Sequence, residues 1–172
     1  MTNKPNMQTA LDVPASELDV HEKNFVANIR AHGWFDNGVM ADDEGPGFSY
    51  TTGFWITLGF PEIIVFSLKQ EIAHDILWDV FREAKSGRQI SPGKYADNIF
   101  ANGGAYFFPV AKQHYYDYLG WSRWFYRGDD FPCLQLVWPD TREAFPWQSG
   151  FEDRFRNDQP DLSPDGWIKL IQ

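Results

Sequence analysis

Between Phe48 and Leu68 the chain reads FSYTTGFWITLGFPEIIVFSL. The first half alternates. Phe48, Tyr50, Thr52 and Phe54 project one way and Ser49, Thr51 and Gly53 the other, which is the period of a half-buried strand. After a turn at Gly59-Phe60-Pro61, the run Ile63-Ile64-Val65-Phe66 is apolar without interruption, as in a strand covered on both faces. This pair is the predicted centre of a sheet. Beyond it, Ile72, Ile76, Leu77, Val80, Phe81 and Ala84 recur at three- and four-residue spacing, the strongest helical pattern in the chain. Glu71 suits the positive end of that helix, Arg82 and Lys85 the negative end, and Gly87 its C-terminal stop.

Upstream, Asp19 with Glu22 forms a variant capping box, Phe25, Val26 and Ile29 make an apolar stripe, and Gly33 ends the helix. A strand is predicted over Trp34 to Met40, followed by the turn Asp42-Asp43-Glu44-Gly45-Pro46-Gly47. Residues 88–104 read as a loop and Ala105 to Ala111 as a strand. Gln113 to Leu119 fits one or two helical turns, and Trp121 to Tyr126 is ambiguous. Cys133 to Trp138 reads as a buried strand. From Pro139 on, four prolines mark loop, with room for a short helix at Gly166 to Ile171. Residues 1–18 are polar and aperiodic and read as a flexible tail. The expectation is a single α+β domain over 19–172, with a largely antiparallel β-sheet packed against two main helices.

Charge and cysteine usage narrow the function classes. The formal charge of −9 disfavours nucleic acid, which needs a basic footprint. It permits a basic protein partner drawn in by long-range steering, although solubility is the simpler account of it. Eight Trp and fifteen Phe exceed what a core of this size must hold, so some rings should reach the surface. A single cysteine, Cys133, excludes an internal disulfide and a multi-cysteine zinc site and suits a reducing compartment. No apolar run has the length of a signal peptide core or a membrane span, so a cytoplasmic protein without a membrane partner is expected.

Familiar catalytic motifs fail when tested. His21-Glu22 opens like a zinc-protease helix, but Phe25 stands where the second histidine belongs. Glu71 and His74 have the spacing of a carboxylate-bridged metal motif without its second copy, so a solvated helix face is the simpler reading. Trp138-Pro139-Asp140 resembles the general-acid loop of tyrosine phosphatases, yet the residue six after Cys133 is Pro139 rather than arginine, and Cys133 reads as a small core hydrophobe. Arg127-Gly128-Asp129 reads as a turn. Gly47-Phe48-Ser49-Tyr50-Thr51 lacks the second glycine and the helix of a nucleophile elbow. No catalytic residue, cofactor or metal ligand is assigned.

What remains is a set of polar groups among aromatic ones: His32, Trp34, Tyr50, Thr51, Glu62, Gln135, Trp138, Asp140 and Trp147. If they converge they line a pocket. The competing structural reading has Glu62 and Asp140 satisfying backbone donors at strand ends and His32 closing a helix.

His32-Gly33-Trp34, Phe48-x-Tyr50-Thr51-x-Gly53, Pro61-Glu62 and the helix closing on Gly87 together resemble a bacterial family of domains of unknown function, number 4262. Leu134 to Asp140, Phe145-Pro146-Trp147 and Gln159-Pro160-x-Leu162 are similar to its C-terminal signature. The resemblance spans roughly residues 22–162. It departs at Phe54-Trp55, where many members carry a small residue followed by an aliphatic one. It implies no activity and no catalytic residues. Some relatives resemble the small acidic proteins encoded beside secreted bacterial toxins, which implies an immunity role.

The leading expectation is therefore a non-catalytic binding protein that neutralises a basic toxin domain. Its contact surface would combine Asp42, Asp43, Glu44, Asp129 and Asp130 with Trp124 and Tyr126. The alternative is a small-molecule or flavin-type ligand-binding protein or enzyme with a pocket on the sheet, because the strand–strand–helix order at 48–87 is loosely similar to flavin-binding split barrels.

Overall fold

A computed structural model of the chain describes residues 4–172. Six strands form one sheet: β1 (Phe35–Val39), β2 (Phe48–Thr52), β3 (Glu62–Phe66), β4 (Tyr95–Phe100), β5 (Gly103–Pro109) and β6 (Cys133–Val137). Their order is β1-β2-β3-β6-β5-β4, so the predicted pair β2–β3 does lie in the middle. Every pairing is antiparallel except β3 with β6, which is parallel from Glu62↔Cys133 to Val65↔Leu136. The molecule is the expected α+β fold. β3 and β6 are buried along their whole lengths, as their unbroken apolar runs require.

The two main helices cover opposite faces. Helix α1 (Val20–His32) starts at the reciprocal Asp19–Glu22 capping box and stops at Gly33, whose φ of 89° a residue with a Cβ would adopt only under strain. Helix α3 (Gln70–Lys85) buries Ala73, Ile76, Leu77, Val80, Phe81 and Ala84 against Ile63, Val65, Phe107, Leu134 and Leu136. On the other face Phe25, Val26 and Ile29 of α1 belong to a second buried cluster with Tyr50, Ile64, Phe66 and Phe125. Burying aliphatic and aromatic side chains of this size contributes about 1.5–3 kcal/mol each, so the two layers set the stability of the fold. The rest of that face, under β5 and β6, is covered by the C-terminal segment through Phe145, Trp147 and Trp167.

Four stretches differ from expectation. Residues 54–58, which continue the β2 alternation, instead form the short helix α2 (Phe54–Leu58), because Gly53 breaks the extended chain at φ 119°. Residues 88–104 hold the edge strand β4, whose polar sequence YADNIF and irregular pairing with β5 hide its period. The ambiguous stretch 121–126 lies in helix α5 (Gly120–Tyr126), which follows the helical turn expected at 113–119, present as α4 (Tyr115–Tyr118). Of the segment read as a flexible tail, residues 1–3 lie outside the described ones, and the part around Ala10 and Leu11 packs on the domain. Thr9 and Ala10 are buried, and the Arg30 guanidinium donates to Leu11 O at 2.5 Å. Its few apolar residues, Met7, Leu11 and Leu18, pack on the α1 side. The C-terminal helix is α6 (Trp167–Leu170). No helix among the described residues is long and apolar enough to cross a membrane.

Candidate functional site

The predicted pocket residues separate into structural groups. Glu62, at the start of β3, is wholly buried and accepts five hydrogen bonds. They come from Thr51 Oγ1 at 2.5 Å, from the N–H groups of Gly53 (2.9 Å), Phe54 (3.3 Å) and Trp55 (3.1 Å), and from the Tyr126 hydroxyl. Three orphan N–H groups at the start of α2 thus find their acceptor in one carboxylate. Burial pushes the Glu62 carboxyl up to about 7, against these donors, which favour the charge. Tyr50 donates no strand-face chemistry either. Its hydroxyl accepts from Trp121 N at 3.0 Å, and burial raises it to about 12.

The C-terminal candidates are equally committed. Gln135 donates to Pro160 O at 2.7 Å and accepts from Leu162 N at 3.2 Å, pinning the terminal segment to the sheet. Trp138 donates its indole N–H to Phe66 O at 2.8 Å. Asp140 accepts from the N–H groups of Arg142, Ala144 and Glu152, all at 2.9 Å. Burial opposes its charge, but the donors of Ala144, Glu152 and Arg142 outweigh it and hold the carboxyl below the usual range. Trp147 packs on Tyr106, Phe108 and Trp167. These residues fasten the fold and do not converge with His32 and Trp34.

The proposed acidic surface is not one surface. Asp42, Asp43 and Glu44 sit in the β1–β2 turn, beyond the Val39↔Phe48↔Phe66 end of the sheet. Asp129 and Asp130 precede β6 and lie at the opposite, Glu62↔Cys133 end. Asp129 is paired with Arg123 at 2.6 Å. Tyr126 is buried on Glu62, and Trp124 packs at the edge of Phe25 and Trp121. Sequence proximity brought these groups together on paper, and the strand direction separates them.

His32 and Trp34, by contrast, line a cleft of about 480 Å³ with Asn28, Phe35, Asp36, His74 and Trp78. Three elements build it by simple spacings. Asn28 and His32 stand four apart on α1, Trp34 just before β1 and Asp36 within it are two apart, and His74 and Trp78 stand four apart on α3, so each pair shares a face. His74 Nδ1 lies 3.0 Å from Asp36 Oδ2. Trp34 lies under the imidazole at 5.7 Å and 22°, and Trp78 continues the aromatic wall at 5.6 Å and 29° from Trp34. The His74 side chain is 54% exposed and that of Asp36 17%, so the histidine faces the opening and the carboxylate sits behind it.

Asp36 Oδ1 is buried and has no hydrogen-bond partner among the described residues. Burial raises the Asp36 carboxyl, while the His74 hydrogen bond and charge pull it back. An ionised Asp36 accepts from His74 Nδ1–H, which leaves Nε2 as a proton acceptor toward the cleft. The arrangement can therefore orient an imidazole for general acid–base work and offers a second carboxylate oxygen to an incoming donor. The Asp36–His74 contact gave no sequence signal, since 38 residues separate the partners; His74 does not lie on a purely solvated helix face. Among the described residues no group of three or more His, Cys, Asp or Glu could hold a metal ion.

Comparison with known proteins gives one match. The model of the family described as Domain of unknown function (DUF4262) matches residues 28–152. The chain belongs to the DUF4262 family. The matched span includes all of the cleft residues, the Glu62 cluster and the Asp140 turn, and it excludes the capping box of α1 and the terminal helix α6. No curated protein and no solved structure matches.

Proposed function

We propose that this DUF4262 protein binds a small planar ligand in the cleft between α1, β1 and α3, with His74, oriented by Asp36, exchanging a proton with it. The observation that carries this reading is the His74–Asp36 pair opening onto an aromatic wall with Asp36 Oδ1 unpartnered. A buried polar atom without a partner costs about 1–3 kcal/mol, a cost that a ligand N–H would offset. A flat heterocycle bearing N–H groups satisfies the carboxylate and packs against Trp78. The reading is tested by titrating adenine, guanine, a pterin and riboflavin while following tryptophan fluorescence. A saturable response that weakens about tenfold in His74→Ala and Asp36→Asn supports it, matching one lost charge-assisted hydrogen bond. Equal responses in wild type and both variants would sink it.

A second reading, direct neutralisation of a toxin, is favoured by a different feature. At the free edge of the sheet Met40 is 82% exposed next to Asp42, Asp43 and Glu44. Among the described residues none of these three carboxylates forms an ion pair. A basic toxin domain would dock on that turn alone, without Asp129 and Asp130. Co-expression with a toxin encoded beside the gene is the decisive arm: growth rescue that survives lysine at all three acidic positions would exclude the turn as the contact. A cytoplasmic location suits both readings, since Cys133 is free and buried rather than part of a disulfide.

A further inference from the structure

On the opposite edge of the sheet from the cleft, three aromatic rings stand nearly at right angles to one another. Tyr95 of β4 and Tyr106 of β5 have centroids 5.8 Å apart at 69°, Tyr95 and Phe145 6.2 Å apart at 84°, and Tyr106 and Phe145 4.8 Å apart at 85°. They border a cleft of about 280 Å³ that Glu143 and Gln148 also line. We propose that this aromatic corner is a binding site for a trimethylammonium group, with Glu143 as its counter-ion.

The corner is built rather than incidental. Tyr95 is half exposed, yet its hydroxyl is held by the N–H of Gly104 at 2.8 Å. A Cβ on Gly104 would come within 2.1 Å of Ala96 O and 2.7 Å of Tyr95 Cζ, so only glycine lets the ring lie across the strand there. Phe145 is fixed from behind by Trp147, stacked at 5.2 Å and 11°, and its N–H donates to Gln148 Oε1 at 2.9 Å. A pre-set wall loses little freedom on binding.

The anion is also placed. Glu143 is exposed with a left-handed φ of 66°, which costs a non-glycine residue energy and persists only where the surroundings impose it. Asp140 imposes it, by taking the N–H groups of Arg142 and Ala144 on either side. Among the described residues Glu143 has no ion-pair partner. Ring faces carry negative potential and attract a cation, most strongly one that sheds water easily, as a trimethylated ammonium does. A space of this size lies at the low end for small-molecule sites, which favours a compact free headgroup.

Calorimetric or NMR titration with choline tests the proposal against the uncharged alcohol in which a tert-butyl group replaces trimethylammonium. Choline should saturate the site and bind about tenfold more tightly than that isostere, the scale of a partly desolvated cation–π contact. Tyr95→Leu, at an exposed edge position, should weaken choline about tenfold, and Glu143→Gln about threefold. Equal affinity for the isostere, no saturation below roughly 10 mM choline, or unchanged binding in both variants overturns the proposal. Binding to phosphatidylcholine vesicles without binding free choline also overturns it, in favour of a lipid surface. If Tyr95→Leu loses its circular dichroism, the isostere comparison and Glu143→Gln still decide.

Discussion

Glu62 and Asp36 are both carboxylates withdrawn from water, and they end in opposite circumstances. Glu62 has five donors around two oxygens and leaves nothing unsatisfied. Among the described residues Asp36 has one partner, His74, on one oxygen and nothing on the other. A completed shell locks α2 and α5 to the sheet. An incomplete shell at the mouth of a cleft keeps part of its binding capacity for something that arrives from outside. The surroundings of the acid, rather than its burial alone, separate an architectural carboxylate from a receptive one.

Removing Glu62 should break this contrast most severely. Glu62→Ala orphans three backbone N–H groups and two hydroxyls, and urea unfolding should show a loss of about 4 kcal/mol, the size expected when several buried neutral donors lose their acceptor together. A loss below about 1 kcal/mol would mean that α2 finds other acceptors. The next effect is pH. Because folding raises the Glu62 carboxyl from 4.5 to about 7, the native state holds the proton more tightly than the unfolded chain. The associated stability is complete below about 4.5 and falls by about 3 kcal/mol as pH climbs through about 7. Glu62→Gln should flatten that part of the profile, measured as the difference from wild type across pH 4 to 8. An unchanged profile would place the titration elsewhere.

Changes on the Asp36 side should look different in kind. His74→Ala should alter stability by no more than about 0.5 kcal/mol, because the ring is more than half exposed, while affinity for a planar probe drops about tenfold. A large stability loss would make the pair a second structural lock. Smallest of all, Asp43→Ser in the exposed β1–β2 turn should leave both stability and cleft binding within about 0.5 kcal/mol of wild type. A weaker cleft there would tie the two ends of β1 together.

The central strands, both main helices and their caps were legible because each carries a strong local period: the unbroken run at β3, the three-four spacing of α3, the Asp19–Glu22 box. β4 was not, since an edge strand facing water on most positions has no reason to alternate. α2 was hidden because Phe54, Trp55 and Ile56 are good strand formers, and only the turn at Gly53 with the Glu62 acceptor makes them helical. The family resemblance was legible from the order of short motifs, and the family model bears it out. Half of the cleft, His32 and Trp34, was visible beside a glycine stop. The other half, Asp36, His74 and Trp78, depends on α3 crossing β1, a tertiary fact with no local signature.

The parallel contact of β3 with β6 also bears on how the chain is made. Trp138 reaches back to Phe66 across 72 positions, and Ser122 to Thr51 across 71. Contacts of such long sequence separation form slowly, because the intervening loop must close before they are rewarded. During synthesis from the N-terminus, β3 therefore emerges with one edge unpaired and stays so until β6 has followed. For that interval Ile63-Ile64-Val65-Phe66 exposes an unpaired apolar edge of the kind that templates pairing with another nascent chain.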